Sequence, residues 1–408
     1  TARDTGWALI GEGLNVVVMT ISFTLLGRRL GPEGYGAFVG LYGLLGPAIS
    51  FNQGAIGLAV YEHIVGMKES GRGVANAAFS ATLIIGAALF VLVVLLATAL
   101  LPALSLVVIV AFSFGELIVV ATLMLGIAVV QAVRSFASAA QLRIMAMALR
   151  GVMIVSLAAA DALTLENLAW GQIVTSLLTI VVVTIVLRRE LGAFVLPDRF
   201  DRRIFKSVFI YSAGIAGTSV QSGADKVVLN SSGHVRDAGL YGAASRIIVL
   251  AQVPTNAFSN STHLSFLEGG DKDPVVLSKR YSKVALGYGL LAAAGLMLFA
   301  PLAPLLLGSD FDGTATMIRW LAPVVVLRAV APFPANGLLG FGRNSIRTRI
   351  LLVNAVWSVA LCIVLIPPFS WKGAVLATIL AEATLLASTW LVLLKVSREE
   401  AGSRSHSS

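Results

Sequence analysis

Residues 74–101 read VANAAFSATLIIGAALFVLVVLLATALL, a stretch without a single charged side chain. An α-helix rises about 1.5 Å per residue, so roughly 20 apolar residues cross the hydrocarbon core of a bilayer, which is about 30 Å thick. The apolar residues run continuously instead of alternating with polar ones, which favours a helix over a strand of a membrane barrel. Residues 74–101 therefore predict a transmembrane α-helix.

Eleven further apolar stretches of similar length lie on either side of it, at 7–27, 35–60, 104–131, 146–163, 167–187, 205–230, 238–265, 284–307, 314–341, 347–367 and 373–394. The second, seventh and eighth of the twelve are the weakest, because they contain Asn52, Gln53, Asp225, Lys226 and Arg246. Charged residues make up 12% of the chain and hydrophobic residues 57%, whereas a soluble domain has about 25% charged residues. We therefore predict an all-α polytopic membrane protein with about 12 transmembrane helices.

The basic residues give this topology an orientation. If the first residue is on the cytoplasmic side, most of the 30 Lys and Arg residues fall in cytoplasmic segments, and only Arg28, Arg29, Arg236 and Lys372 lie in segments on the other side. Cytoplasmic segments are enriched in Lys and Arg, so both termini are expected to be cytoplasmic. No basic stretch is interleaved with aromatic residues, and the net charge of +9 therefore does not indicate nucleic-acid binding.

A repeat with an offset of 206 residues indicates two halves. The matching pieces are 34–37 with 240–243, 143–145 with 349–351, and Arg189 with Lys395, while Pro47 and Pro254 miss this offset by one residue. An even number of spans in each half gives parallel repeats, as in two-lobed transporters. We predict an N-terminal six-helix lobe at 1–190, a cytoplasmic linker at 191–204, a C-terminal six-helix lobe at 205–397 and a cytoplasmic tail at 398–408.

Two motifs carry a family resemblance. The segment LGRRLGPEGYG, residues 26–36, resembles the LGPxxYG loop of polysaccharide flippases of the multidrug/oligosaccharidyl-lipid/polysaccharide (MOP) exporter superfamily. Asp225 and Lys226, followed by AGLYGAASR at 238–246, resemble the pattern that opens the second lobe in that family. With twelve spans in two lobes, the resemblance covers nearly the whole chain and implies a MOP/MATE-like fold.

The resemblance also implies a function. Such proteins flip polyprenyl-diphosphate-linked oligosaccharides to the outer leaflet of a bacterial inner membrane, by alternating access through a cationic cavity between the lobes. The expected partners are this lipid-linked glycan, membrane lipid and glycan biosynthesis enzymes. No catalytic residue and no cofactor is expected, apart from H+ or Na+ if transport is ion-coupled, and the four scattered histidines show no metal-ligand spacing.

Four arginines are candidates for binding the diphosphate, because arginine stays charged at any depth and its planar fork matches phosphate oxygens. Arg328 lies in the tenth span and either contacts substrate or forms a structural ion pair with Glu116 or Glu382. Arg246 lies in the eighth span, and the alternative to a cavity-lining role is an ion pair with Asp225.

Arg28 and Arg29 complete the set. They break the positive-inside rule beside the first span, and they either capture the anionic substrate or extend to the interface.

Acids and prolines give candidates for ion coupling and movement. Glu12 and Asp225 are candidates for binding a proton or Na+, although Glu12 could equally reach water or pair with an arginine. Asp225 and Lys226 are adjacent on one helix, so each is expected to need a different partner. Pro47 and Pro254 interrupt pseudo-equivalent helices and are candidate hinges, with packing kinks as the alternative.

Three other functions compete with flipping. A cation-coupled drug or metabolite antiporter of the same superfamily would favour an acid-lined cavity over an arginine-lined one. A membrane polysaccharide polymerase would need a large outer loop with catalytic carboxylates, and the outer loops expected here are short. A scaffold would have a closed, apolar interior.

Overall fold

The computed structural model describes residues 2–54, 56–192, 194–197, 200–267 and 273–405, although the side chains of 2–13, 15–16, 210–211, 213–218, 264, 267 and 401–405 are outside the description. Within these ranges the chain is almost entirely helical and has no strand, which confirms the predicted fold class. The α-helices are α1 (Ala2–Gln53), α2 (Ile56–Tyr61), α3 (Gly71–Leu100), α4 (Leu106–Phe114), α5 (Ala121–Val133), α6 (Phe136–Ala159), α7 (Leu165–Leu191), α8 (Arg202–Ser231), α9 (Val235–Ala251), α10 (Val253–Leu267), α11 (Pro274–Phe299), α12 (Leu302–Leu307), α13 (Asp312–Val330), α14 (Pro332–Gly340) and α15 (Asn344–Ser405). Glu62–Gly66 and Gly115–Val120 form π-helical turns, and Ser309–Phe311 forms a 3₁₀ turn.

Two long helices each contain two predicted spans joined at a kink. In α1 the kink is at Gly31 (φ 65°, ψ 178°), directly before Pro32. Glycine suits this position because residues with a Cβ rarely adopt such a positive φ, and proline cannot donate a backbone hydrogen bond. In α15 the kink is at Ser370 (φ 49°), two residues after Pro368, where the Ser370 hydroxyl donates to Asp237.

The two prolines predicted as hinges have different surroundings. Pro47 lies inside α1, which continues past it to Gln53. Pro254 is the second residue of α10, just after the break between α9 and α10 at Gln252. The carbonyl of Ala251 at this break accepts a hydrogen bond from the Tyr288 hydroxyl at 2.7 Å, so a side chain supplies the donor that a continuous helix would provide.

Eight helices or runs of consecutive helices in the described residues are long and apolar enough to cross a membrane. Two of them, Val17–Gly66 and Asn344–Glu400, each cover two predicted spans. The predicted seventh and eighth spans form α8, α9 and α10 but are not among the eight. The predicted count of twelve therefore stays a prediction.

The chain folds into two compact units, Thr1–Gly223 (unit 1) and Ala224–Ser408 (unit 2). The boundary lies inside α8, and the predicted linker 191–204 falls within unit 1. The apolar core of unit 1 includes residues of α2, α3, α5, α7 and the start of α8. In unit 2, one cluster joins α11, α14 and α15, and another is built on Ala285, Ala329 and Phe333.

Candidate substrate and ion sites

Arg328 and Glu382 form a close ion pair in unit 2. Arg328 on α13 donates from Nε to Oε1 of Glu382 on α15 at 2.7 Å. The Glu382 side chain is only 7% exposed, whereas that of Arg328 is 29% exposed. Of the two acids named as structural partners for Arg328, the structure selects Glu382. Because the bond uses Nε, the two terminal nitrogens of the guanidinium are left for other contacts.

Asp225 lies in a second polar cluster of unit 2, at the end of α8. Its Oδ2 accepts a hydrogen bond from the Tyr241 hydroxyl at 2.9 Å, and this hydroxyl also lies 3.0 Å from Oγ1 of Thr378. The Nζ of Lys226 donates to Asp225 Oδ1 at 3.0 Å. The expectation that these neighbours could not pair is wrong, because the flexible lysine stem brings the ammonium group back along the helix.

Arg246 is half-buried on α9, about one turn beyond Gly242 and two turns beyond Gly239, and both glycines are buried. The alternative pair with Asp225 is not formed, since Asp225 is bonded to Lys226 and Tyr241. Among the residues that the structure describes, the Arg246 side chain has no ion pair and no hydrogen bond.

Arg28 and Arg29 are exposed at the end of the first span, just before the Gly31 kink. Arg29 forms an ion pair with Asp161 in the turn between α6 and α7. Its Nη2 also donates to the carbonyl of Ala158 at 3.0 Å. Arg29 therefore fixes this turn against α1 within unit 1. The side chain of Glu12, the other candidate near the first span, lies outside the described residues.

A polar cluster in unit 1 contains residues that the sequence did not bring together. The Tyr42 hydroxyl on α1 donates to Oε1 of Glu116 at 2.7 Å. Arg150 on α6 donates from Nη2 to the Tyr42 hydroxyl at 3.4 Å and lies 3.9 Å from Glu116 Oε1. Gln172 on α7 is the fourth member, with Oε1 3.4 Å from the same hydroxyl.

The structure places Arg150 in the middle of a helix and not near its start. From the sequence, Arg150 counts among the cytoplasmic basic residues and lies near the start of the span predicted at 146–163, but α6 begins ten residues earlier, at Phe136. The missed signal is Ser135, whose Oγ accepts from the backbone N–H of Ser138 at 3.1 Å. Serine is a favoured N-cap residue, so it could have indicated the helix start.

The π-helical turn that carries Glu116 is supported by amides at the end of α1. Gln53 Nε2 donates to the carbonyl of Glu116 at 2.7 Å, and Asn52 Nδ2 donates to that of Leu117 at 2.8 Å. A π turn disturbs the regular hydrogen-bond ladder and often marks a functional position. These two amides, which weakened the second span in the sequence, satisfy carbonyls inside unit 1.

The start of α8 has a separate polar anchor. The backbone N–H of Arg203 donates to Asp201 Oδ1 at 2.7 Å, and the Arg203 guanidinium donates to Oδ2 at 3.2 Å. These hydrogen bonds favour the ionised carboxylate and lower the pKa of Asp201. Arg203 also lies 3.6 Å from Glu69, in the turn before α3. Asp201, Arg203 and Glu69 therefore form a charged network at the start of α8.

Comparison with known proteins finds no matching protein-family model and no significant match among curated sequences. Solved structures do match. An inward-facing multidrug resistance MATE family transporter of the MOP superfamily has a TM-score of 0.74 at 16% identity, covering 94% of this chain and 96% of that one. The chain has a MATE-type fold.

Two more structures with the MATE-type fold match along nearly their whole length. An outward-facing multidrug resistance MATE family transporter has a TM-score of 0.64 at 17% identity, covering 98% of this chain and 96% of that one. A MOP superfamily transporter from Pyrococcus furiosus, described as having a binding pocket of reverse polarity, has a TM-score of 0.63 at 16% identity, covering 97% and 95%. All three are described as transporters and not as enzymes.

Proposed function

We propose that this protein flips polyprenyl-diphosphate-linked oligosaccharide from the cytoplasmic to the outer leaflet of a bacterial inner membrane. The MATE-type fold supports transport by alternating access, because similar structures are described in both inward-facing and outward-facing conformations. The MOP superfamily transporter with a pocket of reverse polarity, for which a different function is suggested, supports the view that pocket polarity differs among proteins with this fold.

The arrangement of Arg328 is the observation that carries the choice of an anionic substrate. An arginine inside a span costs at least about 2.5–3.5 kcal/mol on membrane-insertion scales, so its presence calls for a partner or a function. Glu382 supplies the partner through Nε. The terminal nitrogens keep the parallel N–H groups that bind two phosphate oxygens at once.

The other predicted residues take supporting roles in this proposal. Arg246 is a second phosphate contact, while Arg28 and Arg29 meet the headgroup near the outer end of the first span.

Ion coupling and movement are assigned to different residues. Glu12 and Asp225 are the proposed sites for H+ or Na+, and Pro47 and Pro254 the proposed hinges. The break before Pro254 supports movement there more than at Pro47, where the helix is continuous.

A drug or metabolite antiporter is the second candidate, because two of the similar structures are described as multidrug resistance transporters. A cationic substrate would need acids that are not already neutralised. Each buried acid described in the two units lies beside a cation: Glu116 beside Arg150, Asp225 beside Lys226, and Glu382 beside Arg328. The Arg246 side chain, in contrast, has no ion pair among the described residues, and this cation favours the anionic substrate.

The test is a flipping assay in liposomes. Purified protein is reconstituted with a fluorescent polyprenyl-diphosphate sugar, and a membrane-impermeant reductant reports the fraction in each leaflet over time. The parent protein should equilibrate the lipid between leaflets, and Arg246→Ala and Arg328→Ala should slow this at least tenfold. Arg319→Ala is the matched control, because Arg319 is exposed on the same helix as Arg328.

Two results would reject the proposal. If the parent protein leaves the lipid in its original leaflet but exchanges a cationic dye for protons or Na+, the antiporter is correct. If both arginine variants flip as fast as the parent, the arginines do not handle the diphosphate.

A further inference from the structure

Arg150 lies in the middle part of α6, fourteen residues after Phe136 and nine before Ala159, the two ends of the helix. At 1.5 Å per residue its Cα is about 21 Å from the start of the helix. An ionisable residue at such a position in a membrane protein pairs with a polar group or lines a water-filled cavity, and it is a candidate functional residue. Since 39% of the Arg150 side chain is exposed, it is accessible to a ligand.

The Arg150 guanidinium makes few contacts with the described part of the protein. Its one hydrogen bond to a described residue, the Tyr42 hydroxyl, is long at 3.4 Å. Glu116 at 3.9 Å is beyond hydrogen-bond distance and has a better partner, because Tyr42 donates to it at 2.7 Å. In the described part of the chain, the remaining N–H groups of Arg150 have no acceptor. Arg328 differs, since it is bonded directly to Glu382 at 2.7 Å.

A second donor without an acceptor lies in the same cluster. Gln172 is only 1% exposed, and its Oε1 is 3.4 Å from the Tyr42 hydroxyl that Arg150 also contacts. Its Nε2 is buried and has no hydrogen-bond partner among the described residues. Burying such a donor without an acceptor is costly, and an incoming acceptor removes that cost.

The geometry points to an anion-binding site in unit 1, formed by Arg150 and Gln172, that takes phosphate oxygens of the substrate headgroup. Glu116 is the internal counter-ion that the phosphate displaces from Arg150. The carboxylate keeps the empty site neutral overall, and the Tyr42 hydroxyl still satisfies it when Arg150 turns to the ligand. This inference rests on the proposed function and adds a binding residue to it.

The experiment measures binding by isothermal titration calorimetry, with the full-length protein in phosphatidylcholine nanodiscs and farnesyl diphosphate as the probe. Arg150→Gln should weaken binding about tenfold or more, because a charge-assisted bidentate contact is lost. Glu116→Gln should tighten binding several-fold, because the competing negative charge is gone. The control is Arg143→Gln, two turns earlier on α6, where the arginine is bonded to Gln131. This variant should bind farnesyl diphosphate as tightly as the parent.

The Glu116→Gln result separates ligand binding from a merely structural role, which gives no reason for tighter binding. If Arg150→Gln lowers the melting temperature too far, the double variant Glu116→Gln with Arg150→Gln removes both charges together and should still bind weakly. Pyrophosphate and farnesol separate headgroup from tail: pyrophosphate binding should depend on Arg150, and farnesol binding should not.

The outcomes distinguish this inference from the proposed function. If the parent protein flips and binds the lipid but Arg150→Gln binds equally well, or Glu116→Gln weakens binding, the inference is refuted and the proposed function stands. If only farnesol binding depends on Arg150, the inference is also refuted. If the parent protein neither binds farnesyl diphosphate nor flips its lipid, both are refuted.

Discussion

Glu382→Ala should destabilise the protein markedly, because it removes the only anion bonded to Arg328 in the described part of the chain. Breaking a fully buried ion pair from one side costs about 3–5 kcal/mol. Water reaches part of the guanidinium, since Arg328 is 29% exposed, so we expect about 2–3 kcal/mol. At roughly 2 °C per kcal/mol, the apparent melting temperature should fall by about 4–6 °C.

The assay follows intrinsic tryptophan fluorescence of detergent-solubilised protein during heating. All variants are compared at one scan rate, because membrane proteins of this size commonly unfold irreversibly. Glu400→Ala is the control in the same unit: its partner Arg343 is 3.5 Å away, and both side chains are exposed by more than a third. An exposed pair is worth about 0–1 kcal/mol, so this variant should melt within about 2 °C of the parent.

A double-mutant cycle completes the test. Glu382→Ala with Arg328→Ala removes both charges and should melt above Glu382→Ala alone, because no unpaired guanidinium remains. If the two single losses simply add in the double variant, the two residues are not energetically coupled, and the ion pair does not stabilise unit 2.

Three further predictions follow from local geometry. Gly31→Ala should lower stability by about 1–3 kcal/mol, because Gly31 has φ 65° and ψ 178°, a backbone conformation that strains a residue with a Cβ. Gly46→Ala is the control and should leave stability unchanged, since an added Cβ there meets nothing within 4 Å. The melting temperatures of the two variants test this difference. Tyr241→Phe should cost about 1–2 kcal/mol through the hydrogen bond lost to Asp225, and equal melting of variant and parent would contradict this. The pKa of Asp201 is lowered in the folded protein. The ionised Asp201 carboxylate therefore stabilises the fold above its unfolded pKa of about 3.9, and this stabilisation is lost as pH falls through the lower folded pKa. The difference in melting temperature between the parent and Asp201→Asn should accordingly disappear in acid.

Hydropathy predicted the helices well and their limits less well. In lipid, backbone groups must bond within their own segment, so a long apolar run has almost no alternative to a helix. Helix ends follow hydrogen bonding and capping and need not coincide with the end of an apolar run. The sequence therefore starts the fifth span at 146, after the polar Arg143, whereas α6 starts behind its N-cap Ser135. Because of that difference, the sequence did not show that Arg150 lies in the middle of α6.

The pairing of charges was the least predictable part of the candidate sites. Glu382 is 54 residues from Arg328, and only helix packing decides that it, and not Glu116, is the partner. The pairing of Asp225 with Lys226 was missed for the opposite reason: helix periodicity separates adjacent side chains, but a long flexible side chain can overcome that separation.

The two arginine–carboxylate pairs show how each unit can contain an arginine within a helix at a small cost in stability. The repeat offset of 206 residues would match Arg150 with Val356, so the repeat alone does not account for both pairs. In each unit the carboxylate is nearly buried, at 6% exposure for Glu116 and 7% for Glu382, while its arginine is more exposed. An arginine without a counter-ion would be costly whenever the site is empty. A counter-ion that the substrate can displace removes that cost and leaves the guanidinium available for binding. Arg150 lies 3.9 Å from Glu116, so it separates from its carboxylate more easily than Arg328 does from Glu382.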